Sequence, residues 1–137
     1  MALNYEDIKI GDQFSFEHFI DEDSVNKFAS LTGDFNPLHI NQKYAEKTEF
    51  GGRISHGMLL ASLFSTLVGM HLPGERALYV SQDSRFRSPL PLNTKVKVEG
   101  KVIAKFDALN MIELQTFIKD EKEKIIVDGV ARVKVRQ

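Results

Sequence analysis

One stretch limits the architecture more than any other. Residues 56–70 read "HGMLLASLFSTLVGM", the most apolar segment of the chain. As a helix, about 15 residues span roughly 22 Å at 1.5 Å per residue, short of the ~20 residues that a bilayer crossing takes. Apolar positions run nearly all round it, which predicts a buried helix. Ser55 is placed to cap it, and Leu72-Pro73-Gly74 to end it. Everything after Glu75 reads as strand: "RALYVSQDSRFRS", a break at "SPLPLN", then "TKVKVEGKVIAKF", "NMIELQTFIKD" and, after the turn-like "DEKE", "KIIVDGVARVKVRQ". Sequential strands with short links favour an antiparallel sheet. Its apolar face needs a cover, and the 56–70 helix is the one segment large enough. The expected fold class is α+β: a sheet of five or six strands curled round one buried helix.

The 137 residues fit one domain, 1–137, able to bury a core without metal or disulfide staples. The absence of cysteine rules out disulfides, thiolate metal sites and cysteine nucleophiles. Net charge is -1, with Lys and Arg scattered, so no nucleic-acid footprint is expected. The start "MALNYEDIKIGDQF" is neither a signal peptide nor a basic transit peptide. A soluble, cytoplasmic protein with no membrane partner is expected. "FSFEHFI" places Phe14, Phe16, His18 and Ile20 on one face of a first strand. In "DEDSVNKFASLTG", acids at Asp21 to Asp23 suit a helix start, and Val25, Phe28, Ala29 and Leu31 form an apolar stripe. Gly33 stands where a helix C-terminal glycine is expected.

The loop that follows, "TGDFNPLHIN", carries more than a turn requires. Gly, Asp, Asn and Pro make turns; a histidine does not. Asp34 and His39 are five residues apart, about 140° of arc on a helix and opposite faces on a strand. Only an irregular loop brings them together. Pro37 fixes its own φ and pushes Asn36 to an extended conformation. Phe35, Leu38 and Ile40 are available to anchor the loop in the core. An acid and an imidazole held near one water can transfer protons. The plain alternative is an Asx-type turn beside a solvated histidine.

In "SHGM", Gly57 opens the apolar helix with a free N–H at the positive end of its dipole, suited to a developing oxyanion. An ordinary helix start with a small residue is an equal reading. Ser62 and Ser65 lie on the same helix, where back-bonding to the helix carbonyls is the common fate of serine. Arg85 and Arg87 flank Phe86 and could meet phosphates, although a solvated face is the commoner role of such a pair. Lys43, Lys47 and Arg53, near the loop, carry the same ambiguity.

"FASLTGDFNPLHINQKYA" (28–45) resembles the hydratase-2 motif of the MaoC-like (R)-specific enoyl-CoA hydratases. It has an aromatic, then glycine-aspartate, Asn-Pro, a histidine and a small residue six beyond it. "GGRISHGMLLASLFSTLVG" resembles that family's central helix, and "LYVSQDSRFRSPL" the strand and Pro break of its short bacterial members tied to polyhydroxyalkanoate precursor supply. The resemblance implies a hot-dog fold, usually dimerised into one continuous sheet. It implies Asp34 and His39 as the catalytic pair. Gly57, Ser65 and Asn36 fall to oxyanion and substrate binding. Arg85 and Arg87 stay only candidate contacts for the CoA phosphates.

The implied reaction is reversible hydration of a trans-2-enoyl-CoA to an (R)-3-hydroxyacyl-CoA, with acyl-CoA as substrate, no metal and no cofactor, in a homodimer. The alternatives are a hot-dog thioesterase, a 3-hydroxyacyl dehydratase acting on acyl carrier protein, and a non-catalytic acyl-CoA-binding protein. Paired Asp34 and His39 on one loop argue against the thioesterase.

Overall fold

The computed structural model describes residues 3–137; Met1 and Ala2, part of the N-terminal segment considered above, lie outside them. Six strands form one antiparallel sheet: β1 (Gln13–Ile20), β2 (Ala77–Gln82), β3 (Arg85–Phe86), β4 (Thr94–Phe106), β5 (Met111–Lys119) and β6 (Ile125–Val135). Their order is β1-β4-β5-β6-β2, with β3 also paired to β6. The four helices are α1 (Glu22–Thr32), α2 (Pro37–Ile40), α3 (Gln42–Glu46) and α4 (Gly57–Thr66). Among the described residues no helix is long and apolar enough to cross a membrane.

The period-two alternation of β4 to β6 places Val96, Val98, Val102, Ile112, Leu114 and Val133 in the interior. Leu60, Phe64 and Leu67 press onto this face with Ile118, Ile126 and Val127. Gly100 permits the contact: a Cβ there would come within 2.7 Å of Leu67 Cδ2. The helix therefore sits close on the sheet where it crosses β4.

Four expectations need correction. The apolar stretch is not one helix buried all round. Regular α-helix ends at Thr66, and Leu67–His71 widens into a π-helical turn. Met58 and Met70 are 64% and 61% exposed, and Ser62, Ser65 and Thr66 share the open side. Apolar composition specified burial, but the sheet covers one side of a cylinder only. Ser55 does not cap the helix; His56 is its N-cap residue, and the Ser55 hydroxyl donates to the His56 carbonyl at 3.1 Å.

The segment from Ala77 is two strands, not one, because Asp83 leaves the ladder. Its Oδ1 accepts from Val130 N–H, and its carbonyl lies where a Cβ of Gly129 would be. Finally, Leu31 is 84% exposed and drops out of the apolar stripe of α1, and Phe35 is 54% exposed and does not anchor the loop, which leaves the half-buried Leu38 and Ile40. On β1, an edge strand with one neighbour, only Ile20 is buried and Phe16 partly so.

Candidate active site

The helix before the loop is fixed at both ends. Asp21 caps α1 by accepting from Ser24 N–H at 2.8 Å, and Gly33 closes it in the left-handed region at φ 83°. The chain then makes two side-chain turns in succession. Asp34 Oδ1 accepts from Asn36 N–H at 3.2 Å, and Asn36 Oδ1 from Leu38 N–H at 3.0 Å. Asn36 is thus the N-cap of α2, with Pro37 at its first position, where a missing N–H costs nothing. The Asx turn is present, and it is also what carries His39 round into the last turn of α2 and back toward Asp34.

His39 is held by its ring. Its Nδ1 lies 2.9 Å from the Ile54 carbonyl. A carbonyl oxygen only accepts, so that nitrogen carries the proton, and Nε2 of the neutral ring is left with a lone pair. The backbone is held as well. The Arg53 guanidinium, on a residue only 9% exposed, donates from Nε to the His39 carbonyl at 2.6 Å. It also donates to Glu22 at 2.9 Å and Asn26 at 2.6 Å on α1. One side chain therefore ties α1, α2 and the strap before α4 together.

His56 closes the site from below. It is 2% exposed, its Nε2 lies 3.1 Å from the Asp34 carbonyl, and its Nδ1 has no hydrogen-bond partner among the described residues. Its ring stacks on His39 at 4.0 Å between centroids and tilts against Phe28 at 4.8 Å. Burial pulls the His56 pKa below its ordinary 6.5. Asp34, His39 and His56 bring one donor atom each to within 4.8 Å of one another. The two ring planes are 30° apart. An acid and two imidazoles held this close can pass protons between them.

Gly57 is the first residue of α4, so its N–H has no partner from within the helix. The Phe86 ring lies against it: a Cβ at residue 57 would come within 2.8 Å of Phe86 Cδ1. From there a mainly apolar cleft of about 550 Å³ runs along the open side of α4, lined by Phe28, Met58, Ala61, Ser65, Tyr79 and Phe86 among others. Ser65 is on that cleft, eight residues along the helix from Gly57. Ser62 back-bonds to the Leu59 carbonyl, three residues earlier rather than four.

Arg85 and Arg87 form exposed ion pairs, with Asp83 at 3.2 Å and Asp128 at 3.1 Å. The structure thus brings Asp34 and His39 together with His56, the residue before Gly57, and places Ser65 on the cleft. It uses Asn36 as a cap and leaves the two arginines in surface ion pairs. Sequence reasoning left Arg53 ambiguous and did not single out His56. A buried charge and a buried imidazole have no signature in spacing, although an Arg three residues before a helix-opening His-Gly was visible.

A sheet wrapped on one helix, with an acid and an imidazole brought together in the segment before it, is the hot-dog architecture that the sequence resemblance implied. The chain belongs to the MaoC-like domain family, whose model matches residues 7–123. It is 35% identical over 136 residues to an (R)-specific enoyl-CoA hydratase of Rhodospirillum rubrum, covering 98% of this chain and 94% of that one. It is also 35% identical to an (R)-specific enoyl-CoA hydratase of Aeromonas caviae, with 97% and 99% covered. The solved A. caviae (R)-hydratase involved in PHA biosynthesis superposes with a TM-score of 0.93 over 95% of this chain and 98% of its own. The R-hydratase PhaJ1 of Pseudomonas aeruginosa superposes equally well, at 33% identity, over 97% of this chain and 85% of its own.

Proposed function

We propose that this chain is an (R)-specific enoyl-CoA hydratase, a hydro-lyase that adds water reversibly to trans-2-enoyl-CoA to give (R)-3-hydroxyacyl-CoA. The observation that carries the reading is the meeting of the Asp34 carboxylate with a His39 ring whose Nδ1–H is committed to Ile54. That leaves Nε2 as the proton acceptor. The thioester draws electron density from C3, and a water bound between Asp34 and His39 attacks there as His39 Nε2 takes its proton. Negative charge builds on the thioester oxygen, and the Gly57 N–H at the start of α4 stabilises it. The pair then returns a proton to C2. The reaction is written without metal or redox cofactor, because the thioester itself supplies the activation.

The acyl group lies in the cleft along α4, past Ser65. Phe86 borders the entrance, so the thioester carbonyl reaches Gly57 beside its ring. A phosphate of CoA meeting Arg85 or Arg87 would compete with Asp83 and Asp128 for them. We read the chain as one domain working in the cytoplasm as a C2 homodimer, its product of the kind that polyhydroxyalkanoate synthesis consumes.

The test is hydration of crotonyl-CoA, followed by loss of enoyl-thioester absorbance and by chiral analysis of the product. The expected product is (R)-3-hydroxybutyryl-CoA, and a mainly S product would remove this reading. Free thiol release in the same assay would point to a thioesterase instead. Running crotonyl-CoA and crotonyl-acyl carrier protein side by side tests the carrier, and the CoA thioester is expected to be the faster.

A further inference from the structure

His56 is not one of the groups to which the proposed chemistry assigns a step, yet it is the most buried polar side chain of the site. The carbonyl of Asp34 accepts from its Nε2, so that nitrogen carries the proton and the buried Nδ1 does not. The ring is a flat, uncharged platform with His39 stacked on one part of it and Phe28 leaning on another. The two ends of the loop are therefore held by different donors. Arg53 holds the carbonyl of His39, and His56 holds the carbonyl of Asp34. Arg53 is also tied to α1 through Glu22 and Asn26. Among the described residues the His56 side chain makes no other hydrogen bond, so the one it makes serves the loop alone.

We infer that His56 is a positioning residue: through its Nε2–H on the Asp34 carbonyl and its ring beneath His39 it keeps the acid and the base aimed at one water. The donor and the platform are separable. Phenylalanine keeps a stacking ring and loses the donor. Glutamine keeps a donor at similar reach and loses the ring. Reacting groups misplaced by about 1 Å cost on the order of 10²-fold in rate while leaving remote binding contacts intact. The groups that could act on the His56 ring electrostatically are Asp34, His39 and Arg53.

The kinetic part of this inference rests on the hydratase reading above, so the experiment has one arm that does not. In that arm, a long-range proton–nitrogen spectrum of the wild-type chain at neutral pH is expected to show His56 as the neutral Nε2–H tautomer. An Nδ1–H tautomer or an imidazolium there would overturn the inference whatever the enzyme's reaction. In the kinetic arm, His56→Phe is expected to lower kcat for crotonyl-CoA by about 10²-fold with KM moved by less than about threefold, and His56→Gln to recover about tenfold of that loss. A His56→Phe protein with wild-type kcat, a loss that falls mainly on KM, or equal losses in Phe and Gln variants would each overturn it. Should His56→Phe fail to fold, His56→Leu takes its place in the comparison with Gln. A wild-type chain that leaves crotonyl-CoA unchanged counts against the hydratase reading alone. The spectrum and the amide exchange of residues 34–39, expected to be faster in the Phe than in the Gln variant, then decide the role of His56.

Discussion

At the scale of single residues, the loop performs two tasks with one set of atoms. Asp34 Oδ1 makes the turn by accepting from Asn36 N–H, and a carboxylate oxygen also lies within 4.8 Å of a His39 ring nitrogen. Asp34→Asn keeps the turn acceptor but cannot take a proton, and His39→Gln keeps polarity without a titrating ring. Each is expected to lower kcat by ~10²–10⁴-fold, the usual range for a general acid or base. The double variant should fall little further, since groups acting as a unit are not additive. Steady-state hydration rates beside a melting curve for each variant check this. A His39→Gln enzyme within about threefold of wild type, far below that range, would remove the mechanism and leave the fold untouched.

His56 makes a second prediction at this scale. Burial lowers its folded-state pKa below 6.5, so in acid the unfolded chain binds the proton first. Its contribution to stability is then present in full above about 6.5 and is lost as pH falls through the lower folded-state value. Melting temperatures across that range should drop on acidification more steeply for wild type than for His56→Phe.

At the scale of elements, what positions the site is a sequence of close approaches permitted by glycine. Gly100 lets the π-helical turn after α4 settle on β4, Gly57 lets Phe86 lie against the helix start, and Gly129 makes room for the backbone of Asp83. The first two neighbours are side chains that can rotate. The third is a carbonyl that cannot move without breaking the junction of β2 and β3. Gly129→Ala is therefore expected to destabilise by about 1–3 kcal/mol, the ordinary cost of overpacking an interior. Denaturant midpoints should fall at unchanged slope. Because Phe86 sits on β3 just beyond this junction, the same variant should also raise KM through the cleft. Periodicity predicted these elements well where one face is buried, as in β4 to β6. It missed the break at Asp83, because a polar residue leaving a ladder looks like any other polar position on a strand.

At the scale of the whole molecule, the sheet ends in two unpaired edges, β1 and β2. Leu78 and Val80 on β2 are 53% and 54% exposed, an apolar edge of the kind that pairs with another copy. The proposed homodimer would use it. Sedimentation equilibrium is expected to give a dimer at micromolar concentration, and Val80→Lys to shift it toward monomer. A wild-type monomer under those conditions would contradict the assembly. Legible in the linear chain were the strand order apart from the break at Asp83, the capped α1, the helix–sheet pairing and the candidacy of Asp34, His39 and Gly57, but not the short helices α2 and α3. The legible features follow from local spacing, apolar periodicity and turn chemistry, which a linear string carries. The tertiary structure was needed to see that α4 keeps an open face, that Ser55 is no cap, that Phe35 and Leu31 face solvent, and that Arg85 and Arg87 form surface ion pairs with Asp83 and Asp128. It alone brought Arg53 and His56 under the loop. The physical reason is that burial, ring stacking and the tautomer of a histidine depend on which distant groups share a volume. Residues 22, 34, 39, 53 and 56 meet there only once the chain has closed round α4.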